Sequence, residues 1–395
     1  MKQHGEEKKE QVITPWEVTG GSEDGVKTGI DYKKVMDSFG CKEIPPELLE
    51  RIERQTNMKV HPFLRRGIFY CHRDLENILD RHEKKLPFFL YTGRGPSSDA
   101  LQLGHLVPFM FCKYLQDAFG CHVVIQLTDD EKFLVKKDIT LEDAKRYAVE
   151  NAKDIIACGF DPQKTFIFSD IEYYSEMFEN ILRVQKTVLL NQARAVFGFT
   201  SEDCIGKISF PATQIAPCFS SSFKHIFGDE DGGPALIPYA IDQDPYFRVA
   251  RDIAHRLGFH KPSSICSQFI PGLHGIESKM SASDPTSCIY TTDSQGEIAR
   301  KITKYAFSGG RDTLAEHRRL GGNTSVDIAY QYLSYFLESD AELSSIQQQY
   351  TSGEMLSGEL KKRCIQEVQR VVGLFQERRR GVTGETVKQF MAFKK

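Results

Sequence analysis

A doubly wound parallel α/β sheet carrying an insertion, followed by an α-helical domain, is the architecture this sequence predicts. Three observations carry that reading. From Pro87 onward, short apolar runs (Phe88-Phe89-Leu90-Tyr91, Val123-Val124-Ile125-Gln126-Leu127 and Thr165-Phe166-Ile167-Phe168) alternate with segments of helical periodicity. The rhythm breaks over residues 170–234 and resumes at Ala235-Leu236-Ile237-Pro238-Tyr239-Ala240-Ile241. After Pro285 the apolar residues recur at helical spacing, as Val326, Tyr330, Leu333 and Leu337 do.

Taken in order, the first ten residues form a charged leader with no predicted fold. Val12-Ile13-Thr14-Pro15-Trp16-Glu17-Val18 predicts a short strand pair that covers something, and Gly20-Gly21-Ser22-Glu23-Asp24-Gly25 predicts a loop. Residues 31–85 read as mostly helical, with Pro45-Pro46 opening a helix through Leu48, Leu49 and Ile52, so 1–85 are expected to be an N-terminal appendage. Residues 86–284 are the expected α/β domain. Within it, Phe88-Phe89-Leu90-Tyr91 runs into the turn-rich Thr92-Gly93-Arg94-Gly95-Pro96-Ser97-Ser98, and a helix follows with Leu106, Met110, Tyr114 and Leu115 on its apolar face. Thr140 and Asp143 make a capping box for a helix through Ala144, Ala148, Ala152 and Ile155. Asp244-Pro245 opens another, carrying Phe247, Ala250, Ile253 and Leu257. Residues 285–381 form the expected helical domain and 382–395 a terminal helix.

A chain of 395 residues, 40% hydrophobic and 27% charged, can bury a large core in two or three domains. It has no run of about 18 apolar residues to span a bilayer, and Met1-Lys2-Gln3-His4-Gly5-Glu6 is too polar for a signal peptide. The expectation is therefore a cytoplasmic protein with no membrane partner. Ten cysteines are scattered without a Cys-x-x-Cys pair and read as reduced thiols, with no zinc and no metal ligand among them. A net charge of −3 argues against a general polyanion binder. Residues 285–395 nevertheless carry sixteen Lys/Arg against thirteen Asp/Glu, with clusters at Lys361-Lys362-Arg363 and Arg378-Arg379-Arg380, which makes that end the expected nucleic-acid face.

Two short signatures carry the chemistry. Gln102-Leu103-Gly104-His105 stands at a strand, loop and helix junction, where free backbone N–H groups and the positive end of the helix dipole attract anions. Gly104 lets a ring or phosphate approach the backbone, and His105 is directed at a triphosphate. Lys279-Met280-Ser281-Ala282-Ser283 begins 174 residues beyond His105, in a Gly/Ser-rich loop from which a lysine reaches phosphates when nucleotide binds. Together, and in this order, they predict activation of a carboxylic acid by ATP as an adenylate.

These strings, with Tyr91-Thr92-Gly93-Arg94-Gly95-Pro96-Ser97-Ser98, Thr128-Asp129-Asp130-Glu131-Lys132 and Ile241-Asp242-Gln243-Asp244-Pro245-Tyr246-Phe247, resemble the tryptophanyl-tRNA synthetases of the eukaryotic cytosolic type, which are class I aminoacyl-tRNA synthetases. The likeness runs from about Pro15 to the C-terminus. It implies a Rossmann-type catalytic domain at 86–284, a helical anticodon-binding domain at 285–381, a last helix that returns to the catalytic domain, and a homodimer. It implies ATP-dependent ligation of L-tryptophan to tRNA(Trp), with magnesium accompanying the triphosphate. His105, Lys132, Lys279 and Ser281 would then serve catalysis. Tyr91 and Gln126 would accept from the indole N–H, and Glu131, Gln214 and Gln243 would hold the head group, Glu131 taking the ammonium. ATP would meet Thr92, Arg94, Gly104, His105, Lys132, Ala240, Asp242 and Gln243, together with Lys279, Met280 and Ser281. Gly309-Gly310-Arg311-Asp312 resembles the anticodon-reading turn, with Arg311 and Asp312 on unstacked bases.

The indole chemistry agrees with this resemblance, because an indole N–H is a lone donor on a wide apolar ring and buried acceptors reject a ring that lacks it. Two residues depart from the general class I pattern: Gln102 stands where a histidine is usual and Ala282 where a second lysine is usual. Lys132 and Arg94 are expected to replace the missing charge. A tyrosine-specific sister enzyme would share both ATP signatures and differ by a few polar pocket residues. A non-catalytic relative would lose its phosphate ligands first, whereas His105, Lys132 and Lys279 all remain. The basic helical domain argues against an adenylyltransferase that uses no tRNA.

Overall fold

The computed structural model describes residues 11–16, 18–23, 26–27, 29–280 and 284–393. Seven strands make the central sheet: Lys42–Glu43 (β1), Phe69–Arg73 (β2), Phe89–Arg94 (β3), His122–Leu127 (β4), Thr165–Ser169 (β5), Ala235–Ala240 (β6) and Ser263–Ser267 (β7). Their spatial order is β1-β2-β7-β6-β3-β4-β5. The five strands from β7 to β5 run parallel and are covered on both faces, which is why they read as nearly unbroken apolar runs. The order reverses between β3 and β6, and a sheet of this kind binds ligands at the carboxyl ends of the strands beside such a reversal.

The β3–β6 junction is open for a further, local reason. The two strands pair only at Phe89 with Ala235 and Leu90 with Leu236. Pro238 has no N–H to continue the ladder; its carbonyl instead accepts from the Thr92 hydroxyl at 3.1 Å. Beyond that point the strands part and leave room between their ends.

Residues 31–85 hold the helices Tyr32–Phe39, Pro46–Thr56, Pro62–Arg65 and Leu75–Glu83, as the sequence suggests, but also β1 and β2. β2 pairs antiparallel with β7, and β1 with β2, so the sheet runs across the boundary expected at residue 85. Five residues held between Gly67 and Asp74, both at positive φ, are too few to show an alternation. Their strand character comes from burial of Phe69 and Cys71 against β7.

Helix Leu103–Phe119 follows β3, and helix Leu141–Ile156 crosses from β4 to β5. Helices Asp170–Thr187, Leu190–Phe197 and Ile205–Ile215 fill the expected insertion, and their apolar faces (Tyr173, Met177, Phe210) build one core with Phe168 and Phe247. The second core includes Leu103, Phe111 and Ile155 and continues into the helical domain through Ile298, Tyr332 and Val368. That domain comprises helices Gln295–Tyr305, Leu314–Leu320, Ile328–Phe336, Asp340–Thr351 and Ser357–Arg380. The terminal helix Gly384–Met391 lies against β5 and helix Leu141–Ile156, and the Phe393 ring meets Tyr173 edge-on at 4.8 Å.

Polar clamps hold the helical domain in place. Arg66 donates to the carbonyls of Ser334 and Leu337 at 2.9 and 2.6 Å. Arg379 donates to Asp154 and Glu150, both at 2.7 Å. The Asp154 side chain is 4% exposed and, among the described residues, otherwise accepts only from the Leu101 N–H, at 3.1 Å. Arg379→Met is therefore expected to destabilise the protein by about 2 kcal/mol, the scale of a hydrogen bond to a buried charge, whereas Arg380→Met on the exposed face changes little. Urea midpoints of the two variants measure the difference.

Candidate functional site

A cleft of about 380 Å³ opens where β3 and β6 part. Thr92 and Arg94 reach it from β3, Gly104 and His105 from the next helix, and Glu131, Lys132 and Gln214 from beyond β4. Ala240, Asp242 and Gln243 close the β6 side, and Met280 closes the top.

The two signatures meet at Gly104. A Cβ there would fall 2.6 Å from Ile270 Cγ2, so glycine lets Ile270 pack on the helix start, while the Met280 sulfur of the late loop lies at ordinary contact distance, 3.4 Å from the same point. His105 Nδ1 accepts the Gln102 backbone N–H at 3.1 Å, which puts the proton of a neutral ring on Nε2. Lys279 ends the strand Gly275–Lys279; its side chain, and the whole of Ser281, lie outside what the structure describes.

The cations of the cleft are arranged unevenly. Lys132 Nζ pairs with Glu131 Oε2 at 2.6 Å, its stem seated where a Cβ on Gly95 would come within 2.1 Å of Lys132 Cε. Glu131 is buried and also accepts from the Thr128 hydroxyl at 3.4 Å. Arg94 donates from Nε to the neutral Asn151 Oδ1 at 3.2 Å. Burial brings its guanidinium down to about 10, against the pull of Asp154 and Glu131, so it stays cationic near neutral pH. On the β6 side Asp242 and Gln243 precede helix Asp244–Ala254. That turn is pinned through buried Asp244, which accepts from Arg73 Nη2 at 3.0 Å and from the Tyr239 hydroxyl at 2.9 Å.

Tyr91 and Gln126, the expected indole acceptors, are 0% exposed and stand behind the cleft wall. The Tyr91 hydroxyl donates to Gln126 Oε1 and lies 2.9 Å from the Gln214 carbonyl. Gln214 Nε2 donates back to that hydroxyl at 3.1 Å. Gln126 Nε2 donates to both oxygens of Asp170, at 2.8 and 2.9 Å. In this state the acceptors satisfy each other, and Gln214 stands between them and the open space. Sequence reasoning missed Asp170. Its only signal is an acidic residue directly after the buried strand Thr165–Ser169. Pro15 and Trp16, in the segment expected to cover something, line the cleft, the indole Nε1 donating to the Phe197 carbonyl at 3.1 Å.

Three carboxyls crowd an acidic floor beneath Gln126 and Ser169, behind the residues that line the cleft. Burial pushes up Asp129 and Asp170 and brings Asp130 to about 6. Away from this cleft, Arg311 and Asp312 are exposed on a turn after helix Gln295–Tyr305. The Gly309 N–H donates to buried Asp327 at 2.8 Å, and a Cβ on Gly309 would lie 2.0 Å from the Asn323 carbonyl. The turn is thus rigidly seated beneath two exposed charged side chains.

Comparison with known proteins agrees with this geometry. The family described as tRNA synthetases class I (W and Y) matches residues 83–204 and 229–373. The cytoplasmic tryptophan–tRNA ligase of Rattus norvegicus is 56% identical over 386 residues, 97% of this chain and 79% of its own length. That of Schizosaccharomyces pombe is 53% identical over 383 residues, 97% of each chain. The crystal structure of Plasmodium falciparum tryptophanyl-tRNA synthetase superposes with a TM-score of 0.87 at 48% identity, covering 92% of this chain and 98% of that one.

The acidic floor has a pH signature. The folded chain holds the Asp130 proton up to about 6, from an ordinary value of 3.8. Folding therefore takes up a proton between these values, and stability falls as pH rises through that window. Asp130→Asn keeps the oxygen that accepts the Glu131 N–H at 2.7 Å. It is expected to raise the unfolding free energy at pH 7.5, measured by urea denaturation, by up to about 3 kcal/mol and to flatten the decline between pH 4 and 6.

Proposed function

This chain belongs to the class I tRNA synthetases for tryptophan and tyrosine, and we propose from that premise how its cleft performs the reaction its relatives are named for. The reaction is ATP-dependent ligation of L-tryptophan to tRNA(Trp) in the cytoplasm, by way of tryptophanyl-adenylate, with release of pyrophosphate and AMP. The observation that carries the site assignment is the contact of Gly104 with Met280 across 176 residues of sequence, which gives one nucleotide both signatures.

ATP, entering as its magnesium complex, lies with its base near Gly104 and Met280, its ribose at Asp242 beside Ala240 and Thr92, and its phosphates at the helix start. Backbone N–H groups and His105 face the phosphates there. The carboxylate of tryptophan attacks the α-phosphorus in line, and charge moves onto pyrophosphate. The enzyme's share is positioning and electrostatic stabilisation, with no covalent intermediate on the protein. Arg94 is suited to that charge because, among the described residues, its side-chain hydrogen-bond partner is neutral Asn151. Lys279 and Ser281 approach from the late loop. The terminal hydroxyl of tRNA then attacks the mixed anhydride.

The Glu131–Lys132 ion pair links the two substrates. The ammonium of tryptophan takes Glu131, with Gln214 and Gln243 completing the head-group site, and so releases Lys132 to the phosphates. The indole displaces Gln214 from Tyr91 and offers its N–H to Tyr91 and Gln126. Asp170, with the Thr213 carbonyl, positions Gln126 by accepting from its amino end, which turns the carbonyl end forward. Phenylalanine would leave these acceptors unpaired, a cost that supports strong rejection. Arg311 and Asp312 read anticodon bases from the turn seated on Asp327, and the working assembly is a homodimer, as the family resemblance implies.

Exchange of labelled pyrophosphate into ATP is expected with tryptophan alone of the twenty amino acids, and exchange driven by tyrosine would overturn the assignment. Lys132→Ala is expected to lower the tryptophan-dependent exchange by about 100-fold, the scale of one transition-state charge contact. Arg311→Ala should leave exchange unchanged and raise the KM for tRNA(Trp) in the charging reaction.

A further inference from the structure

Among the described residues, Cys41, Cys71 and Cys266 bring their sulfurs within 4.8 Å of one another. Cys71 and Cys266 are direct partners across the antiparallel β2–β7 ladder, both 0% exposed. Cys41 arrives from a third element. Helix Tyr32–Phe39 ends at Gly40 in the left-handed conformation, φ 68°, and the Cys41 N–H returns to the Met36 carbonyl at 3.0 Å. This sharp stop swings the half-buried Cys41 thiol onto the ladder. The three sulfurs thus converge on one point from three separate elements.

The surroundings are cationic. Arg73, on β2 two residues beyond Cys71, donates to the Phe39 and Gly40 carbonyls at 2.6 and 3.1 Å, fixing the turn that carries Cys41. Arg248 adds positive charge from helix Asp244–Ala254. Three thiolates and one divalent cation carry a net single negative charge; Arg73 is balanced by Asp244, and Arg248 supplies the offsetting charge.

We propose that Cys41, Cys71 and Cys266 form a site for one thiophilic divalent cation of the zinc type, bound by three thiolates with its fourth position left to water. A zinc–sulfur distance of about 2.3 Å puts tetrahedral sulfurs about 3.8 Å apart, within reach of the observed cluster by small rotamer adjustments. Binding forms three metal–sulfur bonds and releases the three thiol protons to solvent. The site is separate from the cleft but shares a strand with it, since Ser267 and Gln268, directly after Cys266, line the cleft. A bound metal would tie β2, β7 and the Gly40 turn together behind that wall.

The full chain, reduced with a phosphine and freed of metal by a chelator, is titrated with cobalt. One equivalent should produce thiolate-to-metal charge-transfer absorption in the near ultraviolet, which zinc then bleaches. Cys41→Ser and Cys71→Ser should abolish the band, while Cys204→Ser, which removes an exposed thiol, should keep it. The wild-type chain gives a second readout that does not depend on a variant's folding. Zinc should slow alkylation of Cys41 about tenfold or more by withdrawing its thiolate, leaving Cys204 unchanged. Three thiols that merely fill a reduced core would give neither band nor protection, and that result, or a band that survives in both variants, overturns the proposal.

Discussion

The parting of β3 from β6 is the constraint on which the site depends. Parallel strands that paired along their whole length would leave no space at the reversal of strand order. Here the ladder stops after two residue pairs, because Pro238 offers no donor and Thr92 spends its hydroxyl on the Pro238 carbonyl. Everything the cleft contains follows from that interruption. Arg94 and Ala240 stand at the ends of the diverging strands, and the helix beginning at Leu103 turns its N-terminal end, the positive end of its dipole, toward the cleft.

Divergence alone would give a soft cleft, and buried polar clamps stiffen its sides. On the β6 side, Asp244 gathers Arg73 and Tyr239, so the turn with Asp242 and Gln243 cannot drift. On the β4 side, Asp170 fixes Gln126, and the crowding of Asp129, Asp130 and Asp170 costs stability that a purely structural floor would not tolerate. Carboxyls kept in so dry a setting are consistent with selection for orientation rather than for stability.

Much of this was legible in the residues themselves. The runs Val123–Leu127 and Thr165–Phe168 read as buried strands because they are covered on both faces, and the observed strands differ from them by one residue each. Thr140 and Asp143 marked a helix start because a capping box is a local motif. What was not legible depends on partners distant in sequence. β2 is a strand only because β7 lies beside it. Only the resemblance names Tyr91 and Gln126 as indole acceptors, and no sequence feature says that they bond to each other behind the cleft wall. The cysteines at 41, 71 and 266 share no periodicity, and only the fold makes them neighbours.

The ion pair of Glu131 with Lys132 gives the clearest link from packing to chemistry. Gly95 leaves the cradle that seats the lysine stem, and the short, largely buried contact with Glu131 keeps the ammonium from the phosphate side until a competing cation arrives. A substrate that carries its own ammonium is such a competitor, and it brings the carboxylate that must attack. An amine lacking the carboxylate would free the lysine with no nucleophile to use, and a carboxylate lacking the amine would leave the lysine held. In the mechanism we propose, two adjacent residues thereby make full electrostatic support of the triphosphate conditional on the presence of an α-amino acid, which is a form of selectivity that acts before the indole pocket is consulted.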